Sequence, residues 1–153
     1  MQYYNLEDTH EYKNIGQPME QIAQQIIKNA MNVDIIQTCK NSDYDFTDSN
    51  NITYEIKADR KSHITNNFFI TYGQKTIANT EFQPACISKS KSDYHMLLCG
   101  DSFYKVKTDI IRFLIFTNDY RKVTRVNGRN EDILGILLKV DDIKPYATIY
   151  NFT

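Results

Sequence analysis

An α/β (α+β) fold, a mixed central β-sheet flanked by helices within a single domain over residues 1–153, is predicted by three features of the sequence. A helical period occurs early, in PMEQIAQQIIKNA, and strict two-residue alternation follows in ITYEIKAD. Short β-branched and aromatic runs separated by polar turns then recur through the rest of the chain. With 153 residues, of which 41% are hydrophobic and 24% charged, the chain is long enough to bury one core. Only 5 Gly and 3 Pro, with no repeat and no Pro/Ser-rich linker, exclude collagen-like and disordered classes and give no sign of a domain boundary.

The first element is predicted at 18–31. Pro18 suits the first helical position, and Met19, Ile22, Ala23, Ile26, Ile27 and Ala30 fill one arc. Glu20 falls at the edge of that arc in the first turn, where a carboxylate also complements the helix dipole. Strands are predicted at 33–38, 43–47, 52–59 and 67–72, with turn-like clusters around Tyr44-Asp45-Phe46. In the third of these, Ile52, Tyr54, Ile56 and Ala58 face one way and Thr53, Glu55, Lys57 and Asp59 the other. A hairpin about Gly100-Asp101 joins 94–99 to 103–106, and Thr108-Asp109 offers a cap ahead of IIRFLIF, read as a helix although its β-branched and aromatic residues also suit a strand. ILGILLKV at 133–140 is a closing strand, and Pro145 marks an edge or turn.

The longest apolar runs, FLIF and the Gly-interrupted ILGILL, fall far short of the ~20 residues that span a bilayer, so a soluble chain with no membrane partner is expected. No basic start leads into an apolar stretch, and 3 cysteines without a C-x-x-C pair do not make a disulfide framework. The expectation is a reducing cytoplasmic compartment, in a host cell if the chain is viral. Richness in Ile, Asn, Lys and Tyr fits an AT-rich coding genome such as that of a phage or large virus.

Charge is unevenly placed. Residues 1–56 hold nine acids and three bases, whereas 57–153 hold ten acids and fifteen bases. The second part suits a polyanion. Asp45 and, ten residues on, Glu55-Ile56-Lys57 carry the chemistry: on paired strands the two carboxylates converge, with Lys57 two residues further along the same face. Two carboxylates with a backbone carbonyl are hard oxygen ligands suited to Mg²⁺, with Mn²⁺ as substitute. A neighbouring lysine orients water and offsets charge on a phosphoryl transition state. By spacing alone, E-x-K is also what any exposed alternating strand produces.

From Glu20 to about residue 140 the chain resembles the PD-(D/E)XK nuclease superfamily, the restriction-endonuclease-like and Holliday-junction-resolvase-like group, and most of all its small phage- and virus-type members. PMEQIAQQII, SDYDF, ITYEIKADRK, NNFFITY, QPACISKSKSDYHMLL and KVKTDIIRFLIF carry the resemblance in chain order. It implies a restriction-endonuclease-like core and a metal-dependent DNA endonuclease, with junction or branched DNA among its candidate substrates beside flapped, single-stranded and duplex DNA. It further implies Asp45, Glu55 and the Ile56 carbonyl as metal ligands, Lys57 as the catalytic lysine and Glu20 as an accessory catalytic carboxylate. The chain departs from the pattern at Tyr44 in place of proline, at Thr71 in place of a carboxylate, and at Ala85-Cys86 in place of a small Ser-Gly.

Basic and hydroxyl side chains flank these motifs. Arg60 and Lys61 with His63 follow the E-x-K strand; Ser88, Lys89 and Lys91 lie in a serine-rich segment; Arg121, Lys122, Arg125 and Arg129 surround a Gly turn. These are groups suited to phosphate contacts, against the alternative of solvated loops. Tyr72 and Tyr94 are candidates for site contacts, whereas His95 and Cys99 read as core neighbours rather than zinc ligands. Glycine-rich phosphate loops, G-x-S-x-G elbows, H-E-x-x-H helices and a Rossmann fingerprint are absent, which disfavours serine hydrolases, P-loop enzymes, zincins and nicotinamide chemistry. Cutting both strands of a duplex needs two sites, so a homodimer is expected. The alternatives are a catalytically silent nuclease-fold module that binds nucleic acid or protein, and an interaction protein of unrelated fold.

Overall fold

Ile22, Ala23, Ile26 and Ile27 are all buried on one stripe of helix α1 (Met19–Ala30), as their spacing requires. Glu20 lies in the first turn and Lys28 in the last, each complementing the local end of the helix dipole. The computed structural model describes residues 2–3, 19–38, 44–75, 81–126 and 132–152. Pro18, Asp43 and Arg129 fall outside the described residues.

The remaining elements are β1 (Gln2–Tyr3), β2 (Ile35–Thr38), β3 (Phe46–Asp48), β4 (Thr53–Lys57), α2 (Ser62–Thr65), β5 (Asn67–Lys75), β6 (Gln83–Pro84), β7 (Tyr94–Cys99), β8 (Ser102–Lys107), α3 (Thr108–Thr117), β9 (Lys122–Val126), β10 (Asp132–Lys139), α4 (Val140–Ile143) and β11 (Thr148–Asn151). A short 3₁₀ turn at Cys86–Ser88 follows β6. Seven strands form a mixed sheet in the order β1-β11-β8-β7-β4-β3-β2, in which β1 with β11 and β4 with β7 are parallel. The order β6-β5-β10-β9 makes a second, wholly antiparallel sheet.

The fold is thus α/β, with one correction to its expected layout. NNFFITY and ILGILLKV do not join the central sheet but pair with each other in the second one, where Phe69 meets Leu137 in register. The sheet faces follow from alternation. Tyr54, Met96, Leu98, Phe103 and Tyr150 bury against α1, with Phe46 stacked on Tyr54 at 4.7 Å. Leu97, Tyr104 and Val106 point the other way, into a core shared with Phe68, Ile70, Ile136 and Leu138 of the second sheet and Ile111 and Leu114 of α3. One face of the central sheet is therefore covered by a helix, and the other by a helix and a sheet.

The register of β3 on β4 is set at the turn between them. Asp48, 1% exposed, accepts bonds from Asn50 N–H at 2.8 Å and Ile52 N–H at 3.1 Å through Oδ1, and from the Tyr54 hydroxyl at 2.9 Å through Oδ2. Asn51 turns the chain at φ 62°, a left-handed conformation that asparagine tolerates. Tyr54→Phe removes one bond from a buried carboxylate and is expected to cost about 1.5–3 kcal/mol in urea denaturation.

Gly135 stands at a register shift between Leu134 and Gly135, and a Cβ there would overlap the Phe69 ring across the ladder. Gly135→Ala is expected to lose about 1–3 kcal/mol by overpacking, read as a lower melting temperature.

Candidate active site

Phe46 pairs with Tyr54 and Thr47 with Thr53, so continuing the register brings Asp45 opposite Glu55. Asp45 itself precedes β3, shorter at its start than the 43–47 expected from sequence, while β4 ends at Lys57 rather than residue 59. The Asp45 N–H donates to the Tyr54 carbonyl at 2.8 Å, and its Oδ2 accepts the Ile56 N–H at 2.6 Å. A side-chain carboxylate thus takes the donor that a main-chain carbonyl would take if the ladder continued. The site lies where the two strands part.

Alternation along β4 puts Glu55 and Lys57 on the face away from α1, while the Ile56 side chain packs on the helix side. Lys57 Nζ lies 2.9 Å from Glu55 Oε1, and their side chains are only 29% and 14% exposed. Burial opposes charge on Lys57, but Glu55, the Cys86 thiol and Asp45 outweigh it and hold the ammonium above its ordinary value. Burial pushes the Asp45 carboxyl up to about 6; the bond from Ile56 N–H works against this, and the negative fields of Glu55 and Glu20 add to it. Glu20 therefore acts on Asp45 from the first turn of α1, at the rim of the site.

The 3₁₀ turn comes near the same face, since Cys86 is among the groups whose field acts on Lys57. Cys86 has φ 47°, the left-handed region that favours glycine, at the position where the resemblance leads one to expect the Gly of Ser-Gly. The turn is pinned from both sides. Ala85 N–H donates to the Tyr72 carbonyl at 3.1 Å and Ser88 Oγ donates to the same oxygen at 2.9 Å; Arg112 of α3 donates from Nε to the Ile87 carbonyl at 3.1 Å and from Nη2 to that of Ser90.

The basic side chains divide into three groups. Arg60 and Lys61 are exposed just beyond Lys57, where Lys61 N–H is tied to Asp59 Oδ1 at 3.0 Å. Lys89 is exposed at the end of the 3₁₀ turn, and Lys91 lines a cleft with Asp93 and Lys107. Arg121 and Lys122 are exposed at the start of β9, and Lys122 lines a cavity of about 460 Å³ together with Ser88 and Tyr72. The structure thus brings Ser88, Tyr72 and Lys122 together around one cavity, whose lining includes Arg112 and none of Asp45, Glu55 and Lys57. Arg125 is drawn onto the Phe69 ring, 4.0 Å from its centroid. Tyr94 is a correction: it stacks on Tyr54 on the helix side, 5.9 Å between centroids, away from Glu55 and Lys57.

Two residues belong here to which the sequence reading gave no place in the site: His95, read as a core neighbour and indeed buried, and Arg112, not singled out. His95 is the parallel register partner of Glu55 and lies on the same face, 1% exposed; a lone histidine in the apolar run YHMLLC was the signal for it. Arg112, a cation within the apolar run IIRFLIF, secures the turn above Lys57. Zinc geometry has no support at His95, whose Nδ1 is bonded to the Thr108 hydroxyl at 2.8 Å.

The donor set fits a hydrated Mg²⁺ ion. Asp45 and Glu55 are crowded carboxylates, and a divalent cation relieves the repulsion and burial that raise the Asp45 value. Among the described residues no three His, Cys, Asp or Glu side chains form a closed metal cage. Two carboxylates with water in the remaining positions are a donor set that Mg²⁺ accepts. No helix among the described residues is long and apolar enough to cross a membrane. No protein-family model matches the chain, and no curated protein matches it.

Proposed function

We propose that the protein is a Mg²⁺- or Mn²⁺-dependent endonuclease of the PD-(D/E)XK kind that hydrolyses DNA phosphodiester bonds, acting on junction or branched DNA as a homodimer. The observation that carries this reading is the placement of Asp45, Glu55 and Lys57 together where β3 and β4 part, with the Lys57 ammonium 2.9 Å from Glu55 in a half-buried site. Charged alternation on an ordinary exposed strand gives no reason for a third group, Asp45, to bond across to the Ile56 N–H.

Asp45, Glu55 and the Ile56 carbonyl would hold the metal. When bound, the ion supplies Lewis-acid polarisation of the phosphate and a more acidic water. Lys57, held protonated, donates to a phosphate oxygen or to the attacking water and offsets charge as it develops. Glu20 adds negative charge at the rim, which favours cation capture by Asp45. Arg60, Lys61, Ser88, Lys89 and Lys122 hold the sugar-phosphate backbone around this centre, and exposed Arg121 extends that surface.

Labelled four-way-junction and flapped DNA incubated with the protein and Mg²⁺ is the simplest test. Cleavage of at least one of them that EDTA abolishes is expected; both left intact at every metal concentration would remove the reading.

A further inference from the structure

A buried polar atom without a partner is rare in a folded protein, and one here faces the candidate site. His95 Nε2 is fully buried and has no hydrogen-bond partner among the described residues, while its Nδ1 is committed to Thr108 Oγ1 at 2.8 Å. A chain of hydroxyls runs on from that bond: Thr108 Oγ1 lies 3.0 Å from Ser92 Oγ, which lies 2.8 Å from Ser90 Oγ. If the Nδ1 proton enters this chain, each hydroxyl passes its own proton onward, and Nε2 keeps a free lone pair. Parallel pairing of β4 on β7 sets His95 beside Glu55 and Leu97 beside Lys57, so Glu55, Lys57 and His95 share one face.

Glu55 has two demands upon it. In this structure it pairs with the Lys57 ammonium at 2.9 Å, whereas the reading proposed above requires the same carboxylate as a metal ligand. Once Glu55 turns to a cation, a half-buried ammonium loses its acceptor and needs another. We propose that His95 is a positioning residue whose Nε2 lone pair accepts the Lys57 ammonium when Glu55 is engaged, which holds Lys57 in the site instead of letting it swing to solvent. This rests on the nuclease reading for its purpose, but not for its geometry. Burial, with Lys57 and Arg112 nearby, keeps the ring neutral, with its value held down to about 3, as an acceptor must be.

The geometry is tested without DNA, by ¹⁵N NMR of the imidazoles in the full chain, with His95 assigned by its loss in His95→Asn. An unprotonated Nε2 is expected in the wild type, and its resonance should move upfield in Glu55→Leu, where the ammonium that has lost its acceptor settles on it, but not in Glu55→Leu/Lys57→Met. A proton on Nε2, or no movement in Glu55→Leu, overturns the proposal. The role is tested by kinetics. His95→Asn keeps a donor for Thr108 and removes Nε2; it should lower kcat at least tenfold with KM within twofold and a melting temperature within a few degrees, and His95→Gln should restore part of kcat. A folded His95→Asn that cuts at the wild-type rate overturns it. Wild type that cuts no DNA defeats the nuclease reading instead, and the NMR result then decides the His95–Lys57 contact by itself.

Discussion

Asp45→Asn is expected to make the protein more stable at neutral pH while removing its activity. The carboxyl stands at about 6 in the fold against an ordinary 3.8. Its contribution to stability is complete below the unfolded value and is lost as pH rises from about 4 through about 6, because the folded state binds the proton more tightly over that window. At pH 7 the ionised group is a net cost of about 1–2 kcal/mol after allowance for solvent screening of a half-buried carboxyl. Asparagine carries no charge and keeps an oxygen for the Ile56 N–H. The variant should melt on the order of 4 °C higher at pH 8 and lose the fall in stability between pH 4 and pH 7. Thermal melts at pH 4, 6 and 8 check this; parallel profiles for the two proteins would show that Asp45 carries no such strain. In the same preparations, Mg²⁺ should raise the melting temperature of wild type alone, and cleavage by the variant should fall by at least about 10²-fold.

Lys57→Ala is expected to reduce cleavage by about 10³-fold with DNA affinity held within a few-fold. The asymmetry follows from where charge is spent. Affinity for a polyanion is summed over many exposed cations, Arg60, Lys61, Lys89, Lys91, Arg121, Lys122 and Arg125 among them, so one buried lysine contributes little. In the proposed reaction it stands beside the metal-binding carboxylates, 2.9 Å from Glu55 and within the field of Asp45. Lys57→Met, which keeps most of the apolar stem, separates lost charge from lost packing. Single-turnover rates and equilibrium binding on one substrate check both halves. Parallel loss of binding and cleavage would mark Lys57 as a backbone contact only.

Much of this site could be read before the fold was known, and for a physical reason. Two-residue alternation in ITYEIKAD separates Tyr54 and Ile56 from Glu55 and Lys57 whatever the sheet looks like, and the structure keeps that separation. The α1 stripe is equally local, since Ile22, Ala23, Ile26 and Ile27 specify a helix face by spacing alone. Partner choice between strands is not local. Nothing within NNFFITY states that it pairs with ILGILLKV in a separate sheet, or within YHMLLC that His95 comes to lie beside Glu55. Those contacts depend on chain segments some forty to seventy residues apart. Asp45 was placed on a strand by its neighbours, but the ladder has begun to open there, and its carboxylate substitutes for the missing main-chain acceptor. Cys86 shows the reverse: the expected glycine is absent from the sequence, yet the chain adopts the left-handed turn that glycine favours.

Cleavage of labelled linear duplex, single-stranded, flapped and four-way-junction DNA in Mg²⁺ or Mn²⁺, by wild type beside Lys57→Ala, tests the assignment of Asp45, Glu55 and Lys57 most directly. Wild type is expected to cut at least one of the branched substrates, with EDTA stopping the reaction, while the variant binds that substrate and leaves it whole. A Lys57→Ala protein that cuts at the wild-type rate, or a wild type that binds DNA and cuts none of the four, would contradict it.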